Sequence, residues 1–199
     1  MRTLRWSTAL AVMLVASMFA ADRAQAQMPL HLTAGPSLGT ISSDDFPDSD
    51  ASFGFFAAVG TSFAVGESVA ISPYVGYVQK GAEFNDETAS YDYIEIPVFL
   101  STWFPVGENM SWSIFAGPAI GFQINCDEDG FDCTEFEDHE SMEISGLIGT
   151  GLMFPGGFSV GVGADVGFTD LFDSVDYKTR TFWLSLGYST SLGGANGDM

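Results

Sequence analysis

The chain has 199 residues, 26 of them acidic and only six basic, for a formal net charge of −20. That length suits one domain, and that charge excludes nucleic acid as a partner, because phosphate binding needs clustered lysine and arginine. Hydrophobic residues make up 46% of the sequence, yet beyond the N-terminal leader no run is apolar enough for a spanning helix, so any membrane crossing must use strands.

Residues 1–26 read as a cleavable secretory signal peptide. Arg2 and Arg5 precede the apolar run Ala9–Ala21, and Ala24-Gln25-Ala26 supplies the small residues of a cleavage site. The run is shorter than the roughly 20 residues a membrane anchor needs. Its removal leaves Lys80, Lys178 and Arg180 against 25 acids, a formal charge of −22.

From there the sequence alternates. Leu30–Ile41 puts Leu30, Leu32, Ala34 and Leu38 on one face, and Ser52–Val65 groups Phe53, Phe55, Ala57, Val59, Phe63 and Val65. Val69, Ile71, Val75 and Tyr77 mark a third strand; Ile94, Ile96, Val98, Leu100, Thr102 and Phe104 mark a fourth. The fifth carries Trp112, Ile114, Ala116, Ile120, Phe122 and Ile124. The sixth carries Ile144, Ile148, Leu152 and Phe154, with Leu147 and Met153 off parity. The seventh is the most regular: Phe158, Val160, Val162, Ala164, Val166 and Phe168 alternate with Ser159, Gly161, Gly163, Asp165, Gly167 and Thr169. Phe182, Leu184, Leu186, Tyr188 and Leu192 make the eighth. A period of two gives a strand one oily face and one small or polar face. Aromatics at both ends of an aliphatic stripe suit a hydrocarbon slab bounded by two interfaces.

The connections alternate too. After strands two, four and six they are tight: Gly66-Glu67-Ser68, Pro105–Asn109 and Pro155-Gly156-Gly157. After strands one, three, five and seven they are long: Ser42–Ala51, Gly81–Ser90, Asn125–Ser141 and Asp170–Lys178, holding 18 of the 25 acids. Short turns on one rim and long polar loops on the other define an all-β, eight-stranded antiparallel up-and-down transmembrane β-barrel over residues 27–199. The long loops would face outside. Phe56, Tyr74, Tyr93, Phe99, Trp103, Phe115 and Trp183 then point inward among glycines, predicting a side-chain-filled lumen and no wide pore. Pro36, Pro73, Pro97 and Pro118 fall inside these strands, and bulges are the expected means of absorbing them. Ala34-Gly35-Pro36 and Ala116-Gly117-Pro118 form a faint internal echo.

Gly76-Tyr77 with Lys80-Gly81, Tyr93-Ile94-Glu95-Ile96-Pro97 and Phe115-Ala116-Gly117-Pro118 together resemble the outer-membrane β-barrel domain of PorT-like "porin family" proteins. The likeness covers essentially the whole mature chain, and the Tyr93–Pro97 stretch is its most specific part. It implies an eight-stranded barrel in the cell outer membrane that accommodates a proline in strand four, and it implies little about activity. One departure is that Gly193–Met199 extends past the last strand, where outer-membrane strands often end the chain on an aromatic that marks them for the barrel-assembly machinery.

Candidate sites follow from parity and residue type. If Lys80 pairs with Tyr91, Glu95 lies opposite Gly76, and Lys80, Glu95 and Asp165 form a network inside the lumen. Structural plugging is favoured for it over a proton or ion relay. Cys126 and Cys133 are the only cysteines, and in an oxidising compartment a disulfide between them is expected. Asp127, Glu128, Asp129 and Asp132 lie between them and offer calcium an oxygen-rich loop, although a merely solvated acidic loop has the same composition. His139, Ser141 and Glu143 have the spacing of a lipid-modifying serine site without its surroundings, and His31 is a lone strand histidine. Lys178 and Arg180 sit where lipopolysaccharide phosphates would lie, and equally where they would neutralise the acidic loops. No cofactor and no catalytic residue is expected. The reading is a surface-exposed structural or binding protein. A lipid-modifying barrel enzyme and a soluble lipocalin-like carrier, which also has eight strands, are the alternative classes.

Overall fold

The computed structural model describes residues 28–42, 49–84, 87–128, 131–132, 141–169 and 178–192. The expected signal peptide, Asp129, Cys133 and His139 lie outside them.

Eight antiparallel strands close on themselves: β1 (Met28–Ser42), β2 (Asp50–Thr61, continued by Phe63–Ala64), β3 (Val69–Phe84), β4 (Glu87–Val106), β5 (Met110–Glu128, with Phe131–Asp132 paired to its end), β6 (Met142–Met153), β7 (Phe158–Gly167) and β8 (Lys178–Leu192). Each pairs with its neighbour in sequence, and β8 pairs with β1. Closure leaves no open edge, which is what hydrocarbon demands of a strand protein, since an unpaired backbone amide has no water to bond.

The oily faces look outward. On β7, Phe158, Val160, Val162 and Val166 are 37–61% exposed, and Phe168 just past its end is 62% exposed. At the short-turn rim Phe104 lies 5.5 Å from Trp112 and Phe158 5.2 Å from Tyr188, centroid to centroid. Toward the loop rim stand exposed Phe53, Phe122, Phe168 and Phe182. From Phe158 to Phe168, at about 3.3 Å per residue and roughly 40° tilt, the rise is about 25 Å, the height of an apolar band between two aromatic girdles. In the short turns Gly107, Gly156 and Gly157 have φ of 66°, 84° and 86°, a conformation that glycine adopts without steric cost.

Two features differ from the sequence reading. The first concerns the prolines, which are absorbed without bulges. The β1–β8 ladder skips Gly35 and Pro36 and resumes in the same register, as the β4–β5 ladder does opposite Gly117 and Pro118. Proline has no N–H to donate, so the neighbouring carbonyl is free to approach the preceding glycine. A Cβ on Gly35 would lie 1.8 Å from the Leu184 carbonyl oxygen, and one on Gly117 1.9 Å from that of Val98. The internal echo is therefore a repeated crossing of backbones. Gly117→Ala should destabilise the barrel by about 1–3 kcal/mol, because backbone cannot step aside. Gly66→Ala, whose methyl would meet only Val69 Cβ at 3.7 Å, should change little; urea midpoints of both variants in micelles give the comparison.

The second difference is at the outer rim. Gly81–Phe84 and Glu87–Ser90, read as loop, are paired strand, and so is Asn125–Glu128. β4 has 20 residues and β5 has 19, about twice what a crossing needs, so the β3–β4–β5 ribbon stands beyond the bilayer. A register shift between Asp92 and Tyr93 leaves Ile124 as an extra residue and reverses the parity after it. That reversal buries Cys126 at 1% exposure and turns Asn125 and Asp127 outward. Leu147, off parity in the sequence, is buried within the barrel.

Candidate functional site

Lysine 80 reaches across the barrel. β3 lies halfway round an eight-stranded barrel from β7, and an interior of this size is just bridged by side chains. The Lys80 Nζ lies 3.0 Å from Glu95 Oε1 on β4, 2.7 Å from Glu143 Oε1 on β6 and 2.5 Å from Asp165 Oδ2 on β7. Thr179 Oγ1 on β8 donates to Glu143 Oε1 at 2.9 Å, and the ammonium sits 5.2 Å from the Tyr93 ring centroid. Register explains the first contact: Lys80 pairs with Tyr91 and Gly76 with Glu95. All four charged groups are buried, Lys80 at 1% exposure.

The structure thus brings Lys80, Glu95 and Asp165 together and adds Glu143, which the sequence reading had grouped with His139 and Ser141. Its inward parity on strand six was the available signal. With Glu143 turned into the lumen and Ser141 exposed, the serine-site grouping is not assembled among the described residues. Three carboxylates whose oxygens lie within 4.8 Å of one another form a donor set for a hard cation, and here a lysine ammonium stands among them.

On the short-turn side of this plug lies an aromatic belt. Successive ring centroids run from His31 to Tyr74 (6.1 Å), Phe99 (5.7 Å), Phe115 (5.1 Å), Trp183 (5.9 Å) and Phe56 (5.7 Å). Trp183 lies over Gly163 and Phe115 over Gly149, which is why large residues alternate with glycine. His31 bonds through Nδ1 to Ser189 Oγ at 2.7 Å and through Nε2 to Ser62 Oγ at 2.8 Å. Ser62 continues to Ser72 at 2.8 Å, and Ser72 to Ser101 at 3.3 Å. His31 had no partner visible in the sequence because Ser62 and Ser189 are brought to it only by the pairing of β1 with its two neighbours. Within the belt a cavity of about 450 Å³ runs from Pro29, Ser62 and Ser111 at the rim to Glu95 and Asp165 at the plug. Toward the loops the described residues Val78, Ala82, Ala89, Tyr91, Tyr93 and Cys126 form a buried cluster, whereas on the short-turn side serines and glycines leave a cavity where a filled lumen was expected.

The remaining candidates lie at the outer rim. Asp127 is exposed and directly opposite Asp132, with Glu128 opposite Phe131. Cys126 is disulfide-bonded; since Cys133 is outside the described residues, its identity as partner stands as the expectation given above. Lys178 pairs with Ser42, while Arg180 pairs with Thr40 and Val166 and is exposed on the lipid-facing parity.

A closed up-and-down barrel with a lipid-facing band, two aromatic girdles and a charged interior is an integral outer-membrane protein of the strand class. The chain belongs to the outer membrane protein beta-barrel domain family, whose model matches residues 21–173, and it resides in the outer membrane. Among solved structures, Neisserial surface protein A (NspA) superposes with a TM-score of 0.53 at 9% identity, over 80% of this chain and 96% of that one. Ail of Yersinia pestis gives 0.46 at 17% identity over 82% and 99%. OprG of Pseudomonas aeruginosa gives 0.45 at 10% over 83% and 97%. At such identities the NspA likeness speaks for the fold alone. No curated protein matches the sequence.

Proposed function

We propose that this barrel is a non-catalytic, surface-exposed structural or binding protein whose acidic outer rim carries recognition of cationic partners. The observation that carries this is the placement of like charges. Asp50 on β2 lies directly opposite Glu83 on β3 at the outer rim. Like charges opposed across a ladder destabilise it, so a rim that keeps such a pair favours a cation between them. Calcium is one such cation, and the acidic segment that carries Asp127, Glu128, Asp129 and Asp132 is the proposed place for it, on the match of oxygen ligands alone. Meanwhile the buried Lys80 network closes the bore, which argues against transport.

Membrane lipid and lipopolysaccharide are the proposed surroundings, with Arg180 and Lys178 meeting headgroup phosphates, and the barrel-assembly machinery is the proposed route of insertion. A PorT-like affiliation is supported by Tyr93–Pro97. In that stretch Tyr93 and Glu95 serve the plug, and Pro97 borders the gap in the β4–β5 ladder.

Two measurements test the proposal. In planar bilayers the purified barrel should give no channel steps. Cells displaying it should bind labelled polylysine, and calcium should displace the probe at lower ionic strength than sodium. A variant combining Asp50→Asn, Glu83→Gln, Asp127→Asn and Asp132→Asn should lose most of that binding. Channel steps, or equal binding by the variant, would sink the proposal.

A further inference from the structure

We infer that the cavity on the short-turn side of the plug is a binding site for a small organic amine. Its ammonium would meet Glu95 and Asp165, and its apolar body would lie among the rings. Charge makes the first argument. One lysine faces three carboxylates, each within 3.0 Å of its nitrogen, so with all three ionised the cluster carries two negative charges in excess, a state that burial makes costly and that favours uptake of a cation or of a proton. A second cation relieves this imbalance and lets the carboxylates stay ionised; an anion would worsen it and a neutral molecule would leave it.

The second argument is the state of the groups at the cavity's inner end. Asp165 Oδ1 and Thr181 Oγ1 have no hydrogen-bond partner among the described residues. Their residues are 3% and 1% exposed, and both line the cavity. Buried polar atoms are normally satisfied, and an exception calls for a missing partner. An ammonium supplies three N–H donors, as a lysine does.

The walls make the third argument and choose the kind of cation. Phe56, Tyr74, Phe99, Phe115 and Trp183 line the space, offering apolar area together with ring faces that attract organic cations. A hard metal ion takes oxygen ligands and water and would leave the rings without a role. The volume of about 450 Å³ falls within the range of small-molecule sites. At the rim, His31 and its serines are hydrogen-bonding groups past which an amine can enter. The site faces away from the acidic loops and does not depend on what they bind.

Phenethylamine and 2-phenylethanol share a body and differ in charge, so they serve as probes of the full-length mature barrel in micelles, followed by calorimetry. The amine should bind at least tenfold more tightly than the alcohol. Asp165→Asn and Glu95→Gln should each weaken the amine at least tenfold and leave the alcohol unchanged. Ser101→Trp, which fills the cavity near its mouth, should abolish binding of both. Equal affinity for amine and alcohol, binding of neither, or amine binding that survives Ser101→Trp (and so resides on the acidic loops) would each overturn the inference. Should a carboxylate variant fail to fold, the two probes on the unmutated barrel and Ser101→Trp still decide.

Discussion

Lys80→Met should destabilise the barrel by about 3–5 kcal/mol, the usual consequence of removing one partner from a buried charged group. The side chain that goes is the sole cation within reach of Glu95, Glu143 and Asp165 among the described residues. Three carboxylates would then face one another across a narrow bore. The effect is asymmetric: Glu95→Gln removes one of three like charges and should cost less than Lys80→Met. Replacing all four groups together (Lys80→Met, Glu95→Gln, Glu143→Gln, Asp165→Asn) should recover most of the loss, since a buried charge network can often be exchanged for uncharged residues without penalty. Urea unfolding in phospholipid vesicles measures each variant. A Lys80→Met barrel as stable as the parent would mean that water enters the plug freely.

Val162→Arg should destabilise the protein by about 2–4 kcal/mol in a bilayer, and Phe168→Arg by only about 0–1 kcal/mol. Val162 is 50% exposed and lies near mid-strand, facing Leu184 on β8, whereas Phe168 sits past the end of β7 at the girdle. In a soluble barrel both substitutions would add a solvated charge to an exposed position and stay within about 0.5 kcal/mol. The depth gradient therefore separates an outer-membrane barrel from a lipocalin-like carrier. Equal effects at the two positions would contradict the assignment of this face to lipid.

Strand number, sidedness and the alternation of short and long connections are local properties, and the sequence by itself determined them. A period of two needs only neighbouring residues, and a tight turn needs only its glycines. The Lys80–Tyr91 register, only a condition in the sequence reading, is the one the hairpin adopts. The length of the β3–β4–β5 ribbon was not legible in the sequence. Its acids and small residues resemble loop, and pairing beyond the bilayer depends on partner strands rather than on hydrophobic alternation. Ile124 is similar: one extra residue reverses the side on which Cys126 lies, and parity counted along a single strand cannot detect it. Only the tertiary structure decided that Glu143 joins Lys80, that His31 links Ser62 to Ser189, and that the lumen keeps a cavity on its short-turn side. Each of these is a contact around or across the bore, set by closure and stagger of the whole sheet. Those are collective quantities, fixed when the last strand meets the first.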